Sequence, residues 1–232
     1  MGDMVEFKSN GDDARGYLAV PAGGSGPGVI VVQEWWGLNP QIKRVADRLA
    51  GEGFVVLAPD LYRGELAQHD EMDKAGQLMS TLPMDRAARD MIGAVDELAR
   101  RTEVNGAGIG AVGFCMGGGL VLRLACLRPD RVRAVVPFYG VVGFDDDNHP
   151  DWSKLEASVE GHYGENDDFF PADKAKALED GLRGLDKDAT LHIYPGTGHG
   201  FANEDNPLGT HDEKAAAEAF TRAVTFLHAQ LD

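Results

Sequence analysis

Short, unbroken apolar runs alternate with segments of helical period along most of the chain. Val29 to Val32, Val55 to Ala58, Ile109 to Val112 and Val132 to Pro137 have the length and β-branched content of parallel strands buried on both faces. Ser158 to Tyr163 and Thr190 to Tyr194 are two weaker strand candidates. Near the N-terminus, Met4 to Lys8 and Gly16 to Val20 flank Asn10-Gly11-Asp12-Asp13, which is turn chemistry for a hairpin. Between the strands, Ile42, Val45, Ala46, Leu49 and Ala50 form one helical stripe. Met91, Ile92, Val95, Leu98 and Ala99 form another, on a helix of about Asp85 to Arg101. A last helix follows the capping-box pattern Thr210-His211-Asp212-Glu213 and carries Ala216, Phe220, Val224 and Leu227. Alternating strands and helices predict an α/β fold, with a mainly parallel central sheet of about eight strands and helices on both faces. Two stretches, Glu65 to Pro83 and Val141 to Lys154, read as long connections and are candidates for lids or pocket rims.

Composition narrows this picture without redrawing it. The 232 residues fit a single domain spanning 1–232, and nothing in them marks a linker or an internal repeat. The net charge of −16 argues against nucleic acid and anionic membrane surfaces as partners, since both need clustered Lys and Arg. Two cysteines make a disulfide framework improbable, and the N-terminus lacks a basic region followed by an apolar stretch. The expectation is a cytoplasmic protein, monomeric, without a membrane span.

Chemistry enters at Gly113-Phe114-Cys115-Met116-Gly117, which follows the apolar run ending at Val112 and opens into Gly118-Gly119-Leu120. This is a G-x-nucleophile-x-G elbow with cysteine in the nucleophile position, the signature of an α/β-hydrolase fold. Small neighbours let strand and helix approach around the sharp turn, and a helix N-terminus beneath Cys115 favours a thiolate and can hold an oxyanion. Such a nucleophile needs a base and an orienting carboxylate from later strand ends. Gly196-Thr197-Gly198-His199-Gly200-Phe201 supplies His199 as the base. Gly164-Glu165-Asn166-Asp167-Asp168 supplies two adjacent carboxylates, which backbone reasoning hardly separates. In this fold the loop Gln33-Glu34-Trp35-Trp36-Gly37 supplies the second oxyanion donor, so the N–H groups of Trp35 and Met116 are the expected pair. Glu34 could equally be an ion-pair or capping partner. Cys126 reads as core, and the other six histidines have no metal-ligand spacing, so neither a metal nor a cofactor is expected.

Taken together, Gln33-Glu34-Trp35-Trp36-Gly37, Ala58-Pro59-Asp60-Leu61-Tyr62, Gly113 to Gly118, Gly164-x-x-Asp167-x-Phe169-Phe170-Pro171 and Gly198-His199-Gly200-Phe201 resemble the dienelactone hydrolase family over nearly the whole chain. The resemblance selects Asp167 over Asp168. It implies a Cys115-His199-Asp167 triad that hydrolyses small esters or lactones through a thioacyl-enzyme. It also implies that Glu34 holds the resting thiol inactive and moves when substrate binds. Two arginines that hold the substrate carboxylate in dienelactone-cleaving relatives correspond to Gly64 and Asn203 here, and Arg63, one position early, is a substitute candidate. Trp35, Trp36, Tyr139, Phe169 and Phe201 are candidates for an aromatic pocket suited to a neutral ester. Rival readings are a carboxylesterase, thioesterase or phosphotriesterase acting on a neutral substrate, and a non-catalytic binding protein on the same fold.

Overall fold

A computed structural model describes residues 2–9 and 11–232, so Asn10 of the expected hairpin turn lies outside the described residues. Eight strands form one sheet: β1 (Asp3–Ser9), β2 (Asp12–Ala19), β3 (Gly26–Val32), β4 (Val55–Pro59), β5 (Val104–Phe114), β6 (Val132–Phe138), β7 (Ser158–Gly164) and β8 (Ala189–Tyr194). Their order is β1-β2-β4-β3-β5-β6-β7-β8. β2 pairs antiparallel with β1 and β4, and the strands from β3 to β8 run parallel. The helices are α1 (Pro40–Gly51), α2 (Met72–Ser80), α3 (Met84–Arg100), α4 (Met116–Leu127), α5 (Ala172–Gly184) and α6 (Glu213–Leu231).

The apolar runs are continuous because both faces of the sheet are covered. On β3, Ile30 and Val32 point to one core with Leu98 of α3, Val121 of α4 and Leu178 of α5. Val29 and Val31 point to the other, with Ile42 of α1 and Leu227 of α6. All four β3 side chains are fully buried, each contributing about 1.5–3 kcal/mol against exposure. The stripe on α3 is therefore its sheet-facing side, and the polar residues between its members face outward.

Three expectations change. The connection from Glu65 to Pro83 contains α2, whose Ala75 and Leu78 pack with Trp36 and Ala67 in a small separate cluster. The last helix is capped by Asp212, which accepts the Ala215 N–H at 2.8 Å, and not by Thr210. Thr210 donates instead to the carbonyl of His199, which ties the histidine loop to the start of α6. β5 begins at Val104, where polar and glycine residues extend the strand through pairing with Gly26 and Pro27 of β3 rather than through burial.

Candidate active site

Cys115 sits between β5 and α4 with φ 54° and ψ −120°, a backbone conformation costly for a side-chain-bearing residue. Its surroundings hold it there. The Cys115 N–H donates to the Phe138 carbonyl at 3.0 Å, and its own carbonyl accepts from Gly118 at 2.9 Å and Val141 at 3.3 Å. The neighbouring glycines leave the needed space, because a Cβ on Gly113 would lie 2.1 Å from the Gly117 carbonyl oxygen, and one on Gly118 would lie 2.5 Å from Cα of Gly140. Met116 is the first residue of α4, so its N–H has no partner within the helix. The N–H groups of Met116 and Trp35 donate no hydrogen bond among the described residues and are free to bind an oxyanion.

His199 and Asp167 meet across the ends of β8 and β7. Asp167 Oδ2 pairs with His199 Nδ1 at 2.8 Å, and Asp167 Oδ1 accepts the N–H groups of Phe169 and Phe170, each at 2.8 Å. Asp167 is buried, whereas Asp168 is exposed. Burial acts to lower the His199 pKa, but the Asp167 hydrogen bond and the adjacent Cys115 sulfur outweigh it and push it up to about 10. Its Nε2 is buried without a hydrogen bond of good geometry, and the Cys115 sulfur lies beside it. Nδ1 is thus committed to a carboxylate while Nε2 is left for proton exchange.

Both carboxylate oxygens of Glu34 accept hydrogen bonds from residues other than Cys115. Its Oε1 accepts from the Tyr139 hydroxyl at 3.0 Å and its Oε2 from the Asn203 amide at 2.8 Å, and no hydrogen bond joins it to Cys115 among the described residues. Burial raises the Glu34 pKa, against the lowering effect of these two donors and of His199. Asn203, a candidate for substrate contact, is therefore a partner of Glu34, and so is the fully buried Tyr139, whose hydroxyl burial pushes well above its usual range.

Arg63, the substitute candidate for the substrate carboxylate, is paired away from the cavity at Cys115. Its guanidinium forms a forked pair with buried Asp90 at 2.9 and 3.1 Å and donates to the Asp13 carbonyl at 2.6 Å. Ser9 completes the shell around Asp90 at 2.5 Å. Phe201 is also corrected: it is fully buried between Tyr139 and Tyr194, with ring centroids 5.7 and 5.1 Å away, and fills the core. Cys126 is buried as well, and burial drives its thiol up to about 12.

A cavity of about 330 Å³ opens at Cys115 and His199. Trp35, Met116, Leu120, Val142 and Phe169 line it, and Phe169 places its ring 4.8 Å from that of His199. Met79, Met84, Val141 and Phe169 form an exposed apolar rim. Trp36 lies behind, buried edge-on against Trp35, and borders only a small recess shared by Glu34, Cys115, His199 and Asn203. The connections that hold Met79 and Val141 are the two expected as lids or pocket rims, but sequence reasoning singles out neither residue, nor Met84, which opens α3 ahead of its apolar stripe. Met72, Ala75, Leu78 and Met79 hold helical spacing, which is the signal that could have found Met79.

The site sits where open parallel sheets place their ligands, beyond the carboxyl ends of β3, β5, β7 and β8. The chain is 35% identical to a candidate carboxymethylenebutenolidase from Aquifex aeolicus, with all of both chains covered. It is 36% identical to the protein usf of Aquifex pyrophilus over 97% of each chain. The crystal structure of a candidate dienelactone hydrolase from Klebsiella pneumoniae superposes with a TM-score of 0.82 at 28% identity, covering 98% of this chain and 99% of that one. The dienelactone hydrolase family model matches residues 14–231, and with relatives aligned along its length and the hydrolase fold in place, the chain belongs to the dienelactone hydrolase family.

Proposed function

We infer that the protein hydrolyses small uncharged esters or lactones through Cys115, His199 and Asp167. The observation that carries this reading is the Asp167–His199 pair, set beside a strained cysteine at a helix head and opening onto an apolar cavity. In the acylation step the Cys115 thiol passes its proton to His199 Nε2 as its sulfur attacks the substrate carbonyl, and the N–H groups of Met116 and Trp35 hold the oxygen as it gains charge. The carbon–oxygen bond to the alcohol breaks, and His199 Nε2 hands that oxygen a proton. In deacylation His199 takes a proton from water, the hydroxide attacks the thioester, and the acid leaves as the thiol is restored. A lactone follows the same steps, its alcohol remaining tethered to the acyl group.

Asp167 fixes the tautomer of His199 and stabilises the imidazolium, and its two backbone donors keep the carboxylate from rotating. Protonated His199 favours the ionised form of Glu34, against burial, which favours the neutral carboxyl and raises its pKa. Support for an uncharged substrate comes from a largely apolar lining, whose two charged members, Arg123 and Asp146, are of opposite sign, and from Arg63, whose guanidinium is committed to Asp90. Cytoplasmic placement, a single domain and a monomeric state are part of the same proposal.

The test is hydrolysis of a neutral aryl ester and of a dienelactone by wild type, Cys115→Ala and His199→Ala. Expected are loss of turnover in Cys115→Ala, an acyl adduct on Cys115 trapped in His199→Ala by mass spectrometry, and preference for the neutral ester. Turnover retained in Cys115→Ala overturns the mechanism, and preference for the dienelactone overturns the substrate class.

A further inference from the structure

The catalytic cavity does not end at Arg123. A second cavity, also of about 330 Å³, lies beyond it, and Met84, Leu120 and Arg123 line both. One wall of the combined cleft is α4, where Met116, Leu120, Arg123 and Leu127 follow one another along a single face. The other is α3, where Met84, Ala88 and Met91 do the same at i, i+4 and i+7. From Met116 to Leu127 this face is about 16 Å long at the rise of an α-helix. Asp85, His149, Asp151 and Lys154 also line the far cavity, so the cleft grows more polar away from Cys115.

Arg123 stands where the two cavities meet. It is half-buried, and it makes no hydrogen bond or ion pair among the described residues. Displacing its guanidinium toward solvent therefore breaks no pairing, and its aliphatic stem is left to face an apolar ligand.

The chemistry of the reaction says which part of a substrate enters here. The leaving oxygen must reach His199 Nε2, which places the alcohol at the end of the cavity formed by His199, Phe169 and Leu208. The acyl group then points the opposite way, toward Leu120 and Arg123. It is bonded to sulfur from the end of acylation until deacylation releases it, so it is the group a long binding cleft is fitted to hold.

We propose that the acyl-binding site extends past Arg123 into the cavity between α3 and α4, making esters with an extended linear acyl chain the preferred substrates. This rests on the hydrolase reading above and names its substrate class. Each methylene of the acyl chain that leaves water for the cleft strengthens binding by about fourfold.

The test compares p-nitrophenyl acetate, butyrate, octanoate and decanoate on wild type and on two variants that fill the far cavity, Ala88→Trp and Leu127→Trp. Leu127 is 49% exposed, so its variant tolerates a larger side chain should Ala88→Trp fail to fold. Active sites are counted by the acetate burst. The wild-type kcat/KM should rise by at least about tenfold from acetate to octanoate, and filling the far cavity should lower the octanoate-to-acetate ratio by a similar factor. A flat or falling wild-type series, or a ratio untouched in both variants, overturns the extended site while leaving the hydrolase intact. Absence of Cys115-dependent cleavage for every ester overturns the hydrolase reading itself.

Discussion

His199 Nδ1 lies 2.8 Å from Asp167 Oδ2, and the other oxygen of that carboxylate is anchored by the backbone of Phe169 and Phe170. Orientation of the His199 ring thus depends on a turn of main chain, which gives it little freedom to drift. Asp167→Asn keeps the shape but removes the charge and can hold the wrong imidazole tautomer. It should lower kcat/KM for a good ester by about 10²–10⁴-fold. The same variant should move the His199 titration, followed by imidazole proton NMR, downward from its midpoint near 10. An unmoved midpoint would remove Asp167 as the cause.

A raised histidine pKa is also a statement about stability. The folded value near 10 exceeds the ordinary 6.5, so protonated His199 favours the fold most fully below pH 6.5, and this contribution is lost as pH rises toward 10. The Tm of wild type relative to His199→Gln should decline across that interval. A constant difference from about pH 6 to pH 10 would contradict the coupling.

Glu34 gives the opposite kind of dependence. Its folded pKa lies above the ordinary 4.5, so burying the charge costs stability once the group ionises, and that cost appears as pH rises from 4.5 through the folded value. Glu34→Gln escapes the cost and can still accept one hydrogen bond. Thermal melts should show Glu34→Gln gaining on wild type from acid to neutral pH, with the difference closing again below 4.5.

Arg63→Met tests the assignment of Arg63 to the fold. Loss of the guanidinium leaves Asp90 with only Ser9, at a cost of about 1–3 kcal/mol in denaturant unfolding. Because Arg63 does not line the catalytic cavity, KM for esters should change less than about twofold. A large rise in KM with normal stability would return Arg63 to the substrate site.

Gly118→Ala probes how tightly the elbow is built. The added Cβ would lie 2.5 Å from Cα of Gly140, backbone against backbone, so neither side can yield cheaply. Overpacking of this kind costs about 1–3 kcal/mol. Both Tm and kcat should fall, because Gly140 adjoins Tyr139 and Gly118 binds the carbonyl of Cys115.

Local pattern along the chain carries the frame of the molecule. Four continuous apolar runs are the inner strands β3 to β6, because side chains on both faces of a covered sheet must be apolar. The stripe on α3 is its sheet-facing side, and the glycines around Cys115 mark a turn that admits nothing larger. Cys115 and His199 are legible because each follows an apolar strand within a glycine-rich loop. Backbone reasoning does not separate Asp167 from Asp168, since neighbouring residues differ only in where the folded chain points them; burial on one side of the loop decides it. The destinations of Arg63, Phe201 and Glu34 are likewise tertiary. Arg63 finds Asp90 on α3, Phe201 enters the core beside Tyr194, and Glu34 meets Tyr139 and Asn203 from strand ends far apart along the chain. Long-range pairings depend on which strand ends become neighbours, and no short pattern encodes that. The cleft between α3 and α4 belongs to the same class, for it exists only where two helix faces, each ordinary on its own, are set opposite one another.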